Sequence, residues 1–125
     1  MTLEDVLEEI RVRLEERIQR QLSGLQGFVL KPLYNSTMPL HIQLSLAPDV
    51  FEFLFHEDGI VKLSHGISSN PDVRIESDAQ TFMSLFQNPN AKLFNELERQ
   101  GRIRVTSITK KGSNAEGYIR RYLTG

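Results

Sequence analysis

Hydrophobic and polar residues alternate along residues 50–65 (VFEFLFHEDGIVKLSH), a pattern that predicts two strands joined by a tight turn. Phe51, Phe53 and Phe55 occupy every second position, so they share one face of the first strand. That face is wholly aromatic. An aromatic face of this size must be covered by another part of the chain, and the remaining elements are interpreted around it.

The length of the turn sets which residues face each other across this hairpin. A two-residue loop would set Phe55 opposite the polar Lys62, whereas a three-residue loop at 57–59 sets it opposite Val61. Gly59 can adopt the left-handed conformation that the third residue of such a loop needs after a type I turn. A one-residue shift exchanges the two faces of a strand, so the second register is favoured. The predicted pairs are Phe55–Val61 and Phe53–Leu63.

Apolar residues at spacings of three and four predict a long helix at the N-terminus. The stripe consists of Leu3, Leu7, Ile10, Leu14, Ile18, Leu22 and Leu25. Thr2 is the expected N-cap, and acidic residues in the early turns favour the positive end of the helix dipole. Gly24 and Gly27 mark the end of this helix.

Four further segments have the composition or alternation of strands. They are Phe28–Tyr34, with Pro32 indicating a sheet edge, residues 40–46, residues 73–76 and residues 103–105. Together with the hairpin they predict an α+β fold, in which about five mostly antiparallel strands are covered by helices. The whole chain, residues 1–125, is expected to form one domain.

Three more helices are predicted from their capping signals. Ser77 opens a capping box before a helix over 78–86, and Asn90 caps a helix over 90–100 that ends at Gly101. Ser113 opens a second capping box before a terminal helix over 113–123. Lys110-Lys111-Gly112 is interpreted as a turn that could act as a hinge for that helix.

The charge is distributed unevenly along the chain. Residues 1–98 carry 8 Lys/Arg and 15 Asp/Glu, whereas residues 99–125 carry 7 and 1. The basic C-terminal part is interpreted as a solvated face or as a surface for an anionic partner. The chain has no cysteine, and no apolar run approaches the roughly 20 residues of a membrane span. A cytoplasmic location is expected.

Sequence motifs for catalysis are missing. HExxH, GxSxG, the P-loop and GxGxxG do not occur, and the three histidines, His41, His56 and His65, are not at metal-ligand spacing. Basic residues interleaved with aromatics occur only around Tyr118–Tyr122, which is weak support for nucleic-acid binding. We therefore predict no catalytic residue, no metal, no cofactor and no nucleic-acid partner.

The arrangement of segments resembles the sterol carrier protein type-two family over nearly the whole chain. The matching segments, in the order in which the family has them, are FEFLFHEDGIVKLSHG, NPDVRIESDAQTFMSLF, NPNAKLF and QGRIRV. The chain departs from the family after the basic strand, where ITKKGS replaces a second glycine, often Gly-Asp. It also ends in YLTG, without the Ser-Lys-Leu peroxisomal signal of some members.

This resemblance implies an apolar tunnel between sheet and helices that binds and transfers a lipid or another long apolar molecule without catalysis. Periodicity alone does not distinguish such a tunnel from a filled core. The residues expected to line it are Phe51, Phe53, Phe55, Phe82, Met83, Phe86, Leu93, Phe94, Leu97, Tyr118, Ile119 and Tyr122. One alternative is an accessory module that presents an apolar intermediate to a partner enzyme, and another is a small hydrolase or transferase.

The terminal helix is expected to act as a lid over one end of the tunnel. In this hypothesis Tyr118, Ile119, Tyr122 and Leu123 face the apolar space. Lys110, Lys111, Arg120 and Arg121 form a basic outer rim, which would suit an anionic head group or membrane surface.

Overall fold

The computed structural model describes residues 2–67 and 70–124, which form a five-stranded sheet and five α-helices. The helices are α1 (Leu3–Ser23), α2 (Gly27–Ser36), α3 (Ala79–Gln87), α4 (Ala91–Arg99) and α5 (Lys110–Thr124). The strands are β1 (Leu40–Ala47), β2 (Asp49–Phe55), β3 (Val61–His65), β4 (Val73–Asp78) and β5 (Ile103–Ser107).

The strands lie in the order β3-β2-β1-β4-β5. Three of the four neighbouring pairs are antiparallel, and β1 and β4 run parallel in the centre of the sheet. Alternate residues of the strands join residues of α1, α3, α4 and α5 in one hydrophobic core. The opposite face of the sheet carries polar side chains such as Glu52 and Arg74. The predicted α+β class with mostly antiparallel strands is confirmed.

The hairpin has the predicted register, with Phe55 opposite Val61 and Phe53 opposite Leu63. The loop differs from the expected type I turn because Asp58 as well as Gly59 is left-handed, with φ of 63° and 80°. Asp58 tolerates this conformation because its side chain and N–H are both engaged. Its N–H donates to Asn35 Oδ1 at 2.9 Å, and its carboxylate accepts from Asn35 Nδ2 at 3.2 Å.

Helix α1 begins as expected, since Thr2 and Asp5 form a reciprocal capping box. The helix lies along the edge strand β3, and two of its charged side chains form hydrogen bonds with the free backbone groups of Val61. Arg11 donates to the Val61 oxygen at 3.1 Å, and Glu15 accepts from the Val61 N–H at 2.9 Å. This covers part of an edge that could otherwise pair with another strand.

Phe28–Tyr34, predicted as an edge strand, is part of helix α2 instead. A strand needs a neighbour for its backbone groups, whereas a helix satisfies most of its own, even with Pro32 inside it. The chain reverses sharply after α1, and Gly27 lies against the backbone of Leu22. This places the segment beside α1 and the hairpin turn rather than at a sheet edge.

Two of the predicted helix starts are also corrected. Asp78, not Ser77, caps α3, and its carboxylate accepts from the Thr81 N–H at 2.8 Å. Helix α5 begins at Lys110 rather than after Ser113, because the Thr109 hydroxyl accepts from the Gly112 N–H at 3.0 Å. The Asn90 cap of α4 and the left-handed Gly101 after it, with φ of 74°, are confirmed.

Candidate functional site

The aromatic face of β2 lies at the centre of the core. Phe51, Phe53 and Phe55 are 2%, 4% and 8% exposed. The rings of Phe53 and Phe55 meet edge to face at 6.5 Å, and Phe51 stacks on His65 with 4.6 Å between ring centres. These geometries are favourable for aromatic pairs and hold the rings in place.

The helical cover contributes a second set of buried residues. Phe82 of α3 and Phe94 and Leu97 of α4 are between 1% and 5% exposed and belong to the same core cluster. Six of the twelve expected lining residues are therefore brought together, three on the sheet and three on the helices. These six residues are packed together in the hydrophobic core of this structure.

An outer layer of five expected residues covers that core. Met83, Phe86, Leu93, Ile119 and Tyr122 are partly buried and pack against the core cluster. They come from α3, α4 and α5.

Helix α1 adds a cation, Arg13, to the rim of the outer layer. The Arg13 guanidinium lies over the ring of Phe86, 5.2 Å from its centre. Burial raises the pKa of Tyr122, while Arg13 and Arg17 are close enough to favour its ionised form and oppose that shift. A phenolic hydroxyl and the Arg13 guanidinium, which also lies 3.9 Å from Glu9, are thus beside the apolar layer. Arg13 is not among the residues expected at the site, because apolar spacing marks only the buried side of α1.

Tyr118, the twelfth expected residue, does not face the core: it is 75% exposed. The side of α5 that packs on the core carries Ile119 and Tyr122, which are partly buried, and Leu123, which is buried. Tyr118 therefore lies on the solvent side.

Arg120 was expected on the outer rim, but it packs inward. Its guanidinium lies 5.7 Å from the centre of the Phe94 ring and contacts Glu98 at 2.7 Å and Glu116 at 2.9 Å. Burial opposes its charge, but the bonds to these two carboxylates outweigh burial and raise its pKa. Because both carboxylates neutralise it, Arg120 is a poor ligand for an anionic surface.

The expected hinge at Lys110-Lys111-Gly112 is the first turn of α5. Gly112 is buried, and Lys111 Nζ donates to the Pro39 oxygen at 2.8 Å. Asp72 joins the same junction, because its Oδ1 accepts from the Thr109 hydroxyl at 2.7 Å and its Oδ2 from the His41 N–H at 2.9 Å. These contacts fix the start of α5, so the hinge prediction is wrong.

Two surface depressions stand out, and both are open to solvent. One, of about 340 Å³, is lined by Pro39, His56, Glu57, Ile60 and Lys62. The other, of about 410 Å³, lies along the polar side of α1. Neither lies between the aromatic face and the helices, where core side chains contact one another directly.

Other chemistry at the site is limited. Among residues 2–67 and 70–124, no three His, Asp or Glu side chains cluster closely enough to hold a metal ion. Within the same residues, no helix has both the length and the apolar character needed to cross a bilayer.

Scans against protein-family models and curated proteins gave no match. Solved structures do match. The crystal structure of Sterol Carrier Protein 2 Like 2 from Aedes aegypti has a TM-score of 0.54 at 12% identity, covering 96% of this chain and 98% of its own. The solution structure of palmitated SCP2L2 from Aedes aegypti has a TM-score of 0.51 at 13% identity, covering 100% and 96%.

A third match is to a protein described as the UbiJ-SCP2 ubiquinone synthesis protein. Its TM-score is 0.52 at 11% identity, and the match covers 93% of this chain and 94% of that one. Identities this low show a shared fold and nothing finer. The chain has the α+β fold of sterol carrier protein 2-like proteins.

Proposed function

We propose that this chain binds a lipid or another long apolar molecule between its sheet and its helices, and transfers it without catalysing a reaction. The observation that carries the proposal is the aromatic face of β2 beneath a two-layered helical cover, in a fold shared along nearly its whole length with sterol carrier protein 2-like chains. One of those neighbours is described as palmitated, which supports an acyl chain as the class of ligand.

Entry of a ligand requires the outer layer to move, because the inner side chains are already in contact. Met83, Phe86 and Tyr122 are the natural residues to move, since they are only partly buried. Phe94 and Leu97 of the inner set are 1% and 5% exposed, and we assign them to the floor of the opened space. An apolar ligand chain that replaces the contacts of the outer layer would keep water out of the core.

The rim of the outer layer indicates the polarity of the ligand. Arg13 lies over the Phe86 ring and Tyr122 belongs to the layer, so the rim provides a cation and a hydroxyl. Such a rim favours an amphiphile with an anionic or hydrogen-bonding end, such as a fatty acid, over a pure hydrocarbon.

Native mass spectrometry of the purified protein tests the proposal first, and we expect a co-purified apolar molecule. Displacement of a fluorescent fatty-acid analogue then measures affinity. Arg13→Gln should weaken binding of the anionic probe about tenfold. Arg104→Gln, an exposed residue of β5, is the matched control and should leave affinity unchanged. Failure of the wild-type protein to bind any apolar probe would refute the proposal.

A second candidate function is an accessory module that presents an apolar intermediate to a partner enzyme. The match to the UbiJ-SCP2 ubiquinone synthesis protein favours it, because the two chains cover each other almost completely. Co-purification of a stoichiometric enzyme partner from the native cell would support this candidate. Exchange of a labelled lipid between vesicles by the isolated protein would instead support independent transfer.

A further inference from the structure

Helix α2 presents an apolar surface that the hydrophobic core does not use. Leu25, Phe28, Val29 and Leu33 are 97%, 92%, 67% and 62% exposed, and we call these four residues the α2 platform. Phe28, Val29 and Leu33 lie within an arc of about 140° on the helix, at 100° per residue. Pro32, which is also exposed, falls inside the same arc. Single exposed apolar residues are common, whereas a contiguous group of them marks an interaction surface.

The other side of α2 is fixed to the rest of the chain. Gly27 packs against the backbone of Leu22, and Asn35 exchanges two hydrogen bonds with Asp58. Tyr34 is half-buried, and desolvation raises its pKa to about 12. Because these contacts already hold the helix, the α2 platform is a preformed surface, and a partner that binds it has little chain to order.

The area of the α2 platform is close to that which a stable dimer needs. Its four exposed fractions correspond to roughly 550 Å² of accessible surface, taking roughly 175 Å² for a fully exposed large apolar residue. Specific protein interfaces bury about 800 Å² from each partner. The α2 platform therefore supplies most of one half of a standard interface, and Pro32 and the polar residues around it add to that area.

The charges beside the α2 platform are self-complementary. Lys31, near the middle of α2, lies about 60° from Phe28 around the helix. Its Nζ contacts Asp58 Oδ1 on the hairpin turn at 3.3 Å, and the two side chains remain 51% and 58% exposed. A surface that carries both signs next to its apolar centre fits a second copy of itself better than a partner of uniform charge.

Two-fold symmetry brings these charges together in the required order. When two copies of α2 pack antiparallel, a two-fold axis that runs across the helices sets the flank with Lys31 and Asp58 against the same flank of the other copy, in reverse order. In such an interface, if one residue contacts another across it, the reciprocal contact also forms. Lys31 of each copy then meets Asp58 of the other copy.

We propose that the α2 platform is the interface of a homodimer, in which two α2 helices pack antiparallel and Lys31 of each copy pairs with Asp58 of the other. The proposal goes beyond ligand binding, because it depends on exposed residues outside the core. Helix α2 packs on α1 and the hairpin turn, whereas the outer layer of the candidate site belongs to α3, α4 and α5. Dimerisation and ligand binding therefore use different helices.

Analytical ultracentrifugation of the purified protein tests the proposal, and we expect a dimer with a dissociation constant in the micromolar range or below. Phe28→Ser combined with Leu33→Ser should raise that constant at least tenfold, because it removes two apolar side chains from the centre of the interface. Tyr118→Ser is the matched control, since Tyr118 is an aromatic residue of α5 that is 75% exposed. It should leave the dimer unchanged. Fatty-acid probe binding should be the same in the double variant, which distinguishes a failure of dimerisation from a failure of ligand binding.

An exchange of charges tests the antiparallel arrangement. One variant carries Lys31→Glu, and a second, with an affinity tag, carries Asp58→Lys. Each variant alone brings like charges together across the interface, so its dimer should weaken several-fold at low salt. Mixing the two variants sets opposite charges against each other, and native mass spectrometry should show the heterodimer in excess of both homodimers. Circular dichroism establishes beforehand that each variant is folded.

Four results would overturn the proposal. The first is a wild-type protein that remains monomeric up to about 0.1 mM. The second is a dimer that the Phe28→Ser and Leu33→Ser variant leaves intact. The third is a mixture of the two charge variants that forms no more heterodimer than random pairing gives. The fourth is a monomer that binds lipid vesicles through Phe28, which would assign the α2 platform to a bilayer instead.

Discussion

A Cβ atom on Gly112 would lie 1.9 Å from the backbone oxygen of Asp72. The first turn of α5 therefore packs directly on the loop before β4, and no larger residue fits without a backbone shift. The same Asp72 oxygen accepts from the Ile108 N–H at 2.8 Å, so the loop is held from β5 as well.

Gly112→Ala should destabilise the protein by about 3 kcal/mol, the upper end for an overpacked core site. Chemical denaturation followed by circular dichroism measures the change. Gly117→Ala in the same helix is the control, since its Cβ meets no atom within 4 Å. It should stabilise the protein by up to about 1 kcal/mol through helix propensity. Equal effects at the two positions would contradict the packing argument.

Gly59→Ala should cost more than the penalty for positive φ alone. Its φ is 80°, and the new Cβ would lie 3.0 Å from Gln19 Cγ and 3.1 Å from Ile18 Cγ2. Gly101 has a similar φ of 74° with open space around it, so Gly101→Ala reports the backbone penalty, about 1 kcal/mol. We expect the loss of unfolding free energy at Gly59 to exceed that at Gly101. A smaller loss of unfolding free energy at Gly59 than at Gly101 would contradict the expected clash with α1.

Asp72→Asn should destabilise the protein by about 2 kcal/mol, because an amide replaces one of two accepting oxygens with a donor. The His41 N–H and the Thr109 hydroxyl both donate to this carboxylate, which is largely buried. Thr109→Val removes one of these donors and the cap of α5. In a double-mutant cycle the two changes should cost less together than the sum of their separate effects. Strict additivity would show that the two side chains act independently.

The cap of α3 should make stability depend on pH. Hydrogen bonds from the Thr81 hydroxyl and N–H lower the pKa of Asp78. A group with a lowered folded pKa stabilises the protein above its unfolded pKa of about 3.9, and this stabilisation is lost as pH falls through the folded pKa. Asp78→Asn keeps the capping oxygen but does not titrate. The stability advantage of the wild type, about 0.5 kcal/mol at this exposed site, should therefore shrink from pH 6 to pH 2.5. A constant difference would contradict the assignment.

The sequence predicted the parts of the fold that local rules determine. The faces and pairing of the hairpin follow from alternation and the Asp-Gly turn, and both match the structure. Phe28–Tyr34 was misassigned because apolar, aromatic residues around Pro32 have the composition of an edge strand, while the packing of Gly27 against Leu22 decides the outcome. The hydrogen bonds of Asn35 with Asp58, which also hold this segment, join residues far apart in sequence and leave no periodic signal.

For the candidate site as well, the predictions based on residue spacing match the structure, and those that depend on distant contacts do not. Phe51, Phe53 and Phe55 could be assigned to one face from their spacing, and their burial confirms that they share the core. The orientation of Arg120 depends on contacts with Glu98 and the Phe94 ring, which lie on another helix. Whether the core opens for a ligand depends on the energy of moving the outer layer, which residue patterns do not encode.

The parallel pairing of β1 and β4 bears on the order of folding. β1, β2 and β3 form a meander of close sequence neighbours, and β4 and β5 are joined through α3 and α4. The central pair instead connects positions such as Ile42 and Val73, far apart along the chain. Contacts of high sequence separation form late because loop closure costs entropy before they contribute. We therefore expect two independently nucleated halves to join at this seam in the rate-limiting step. The backbone amide hydrogens between β1 and β4 would then exchange with solvent only when the two halves separate.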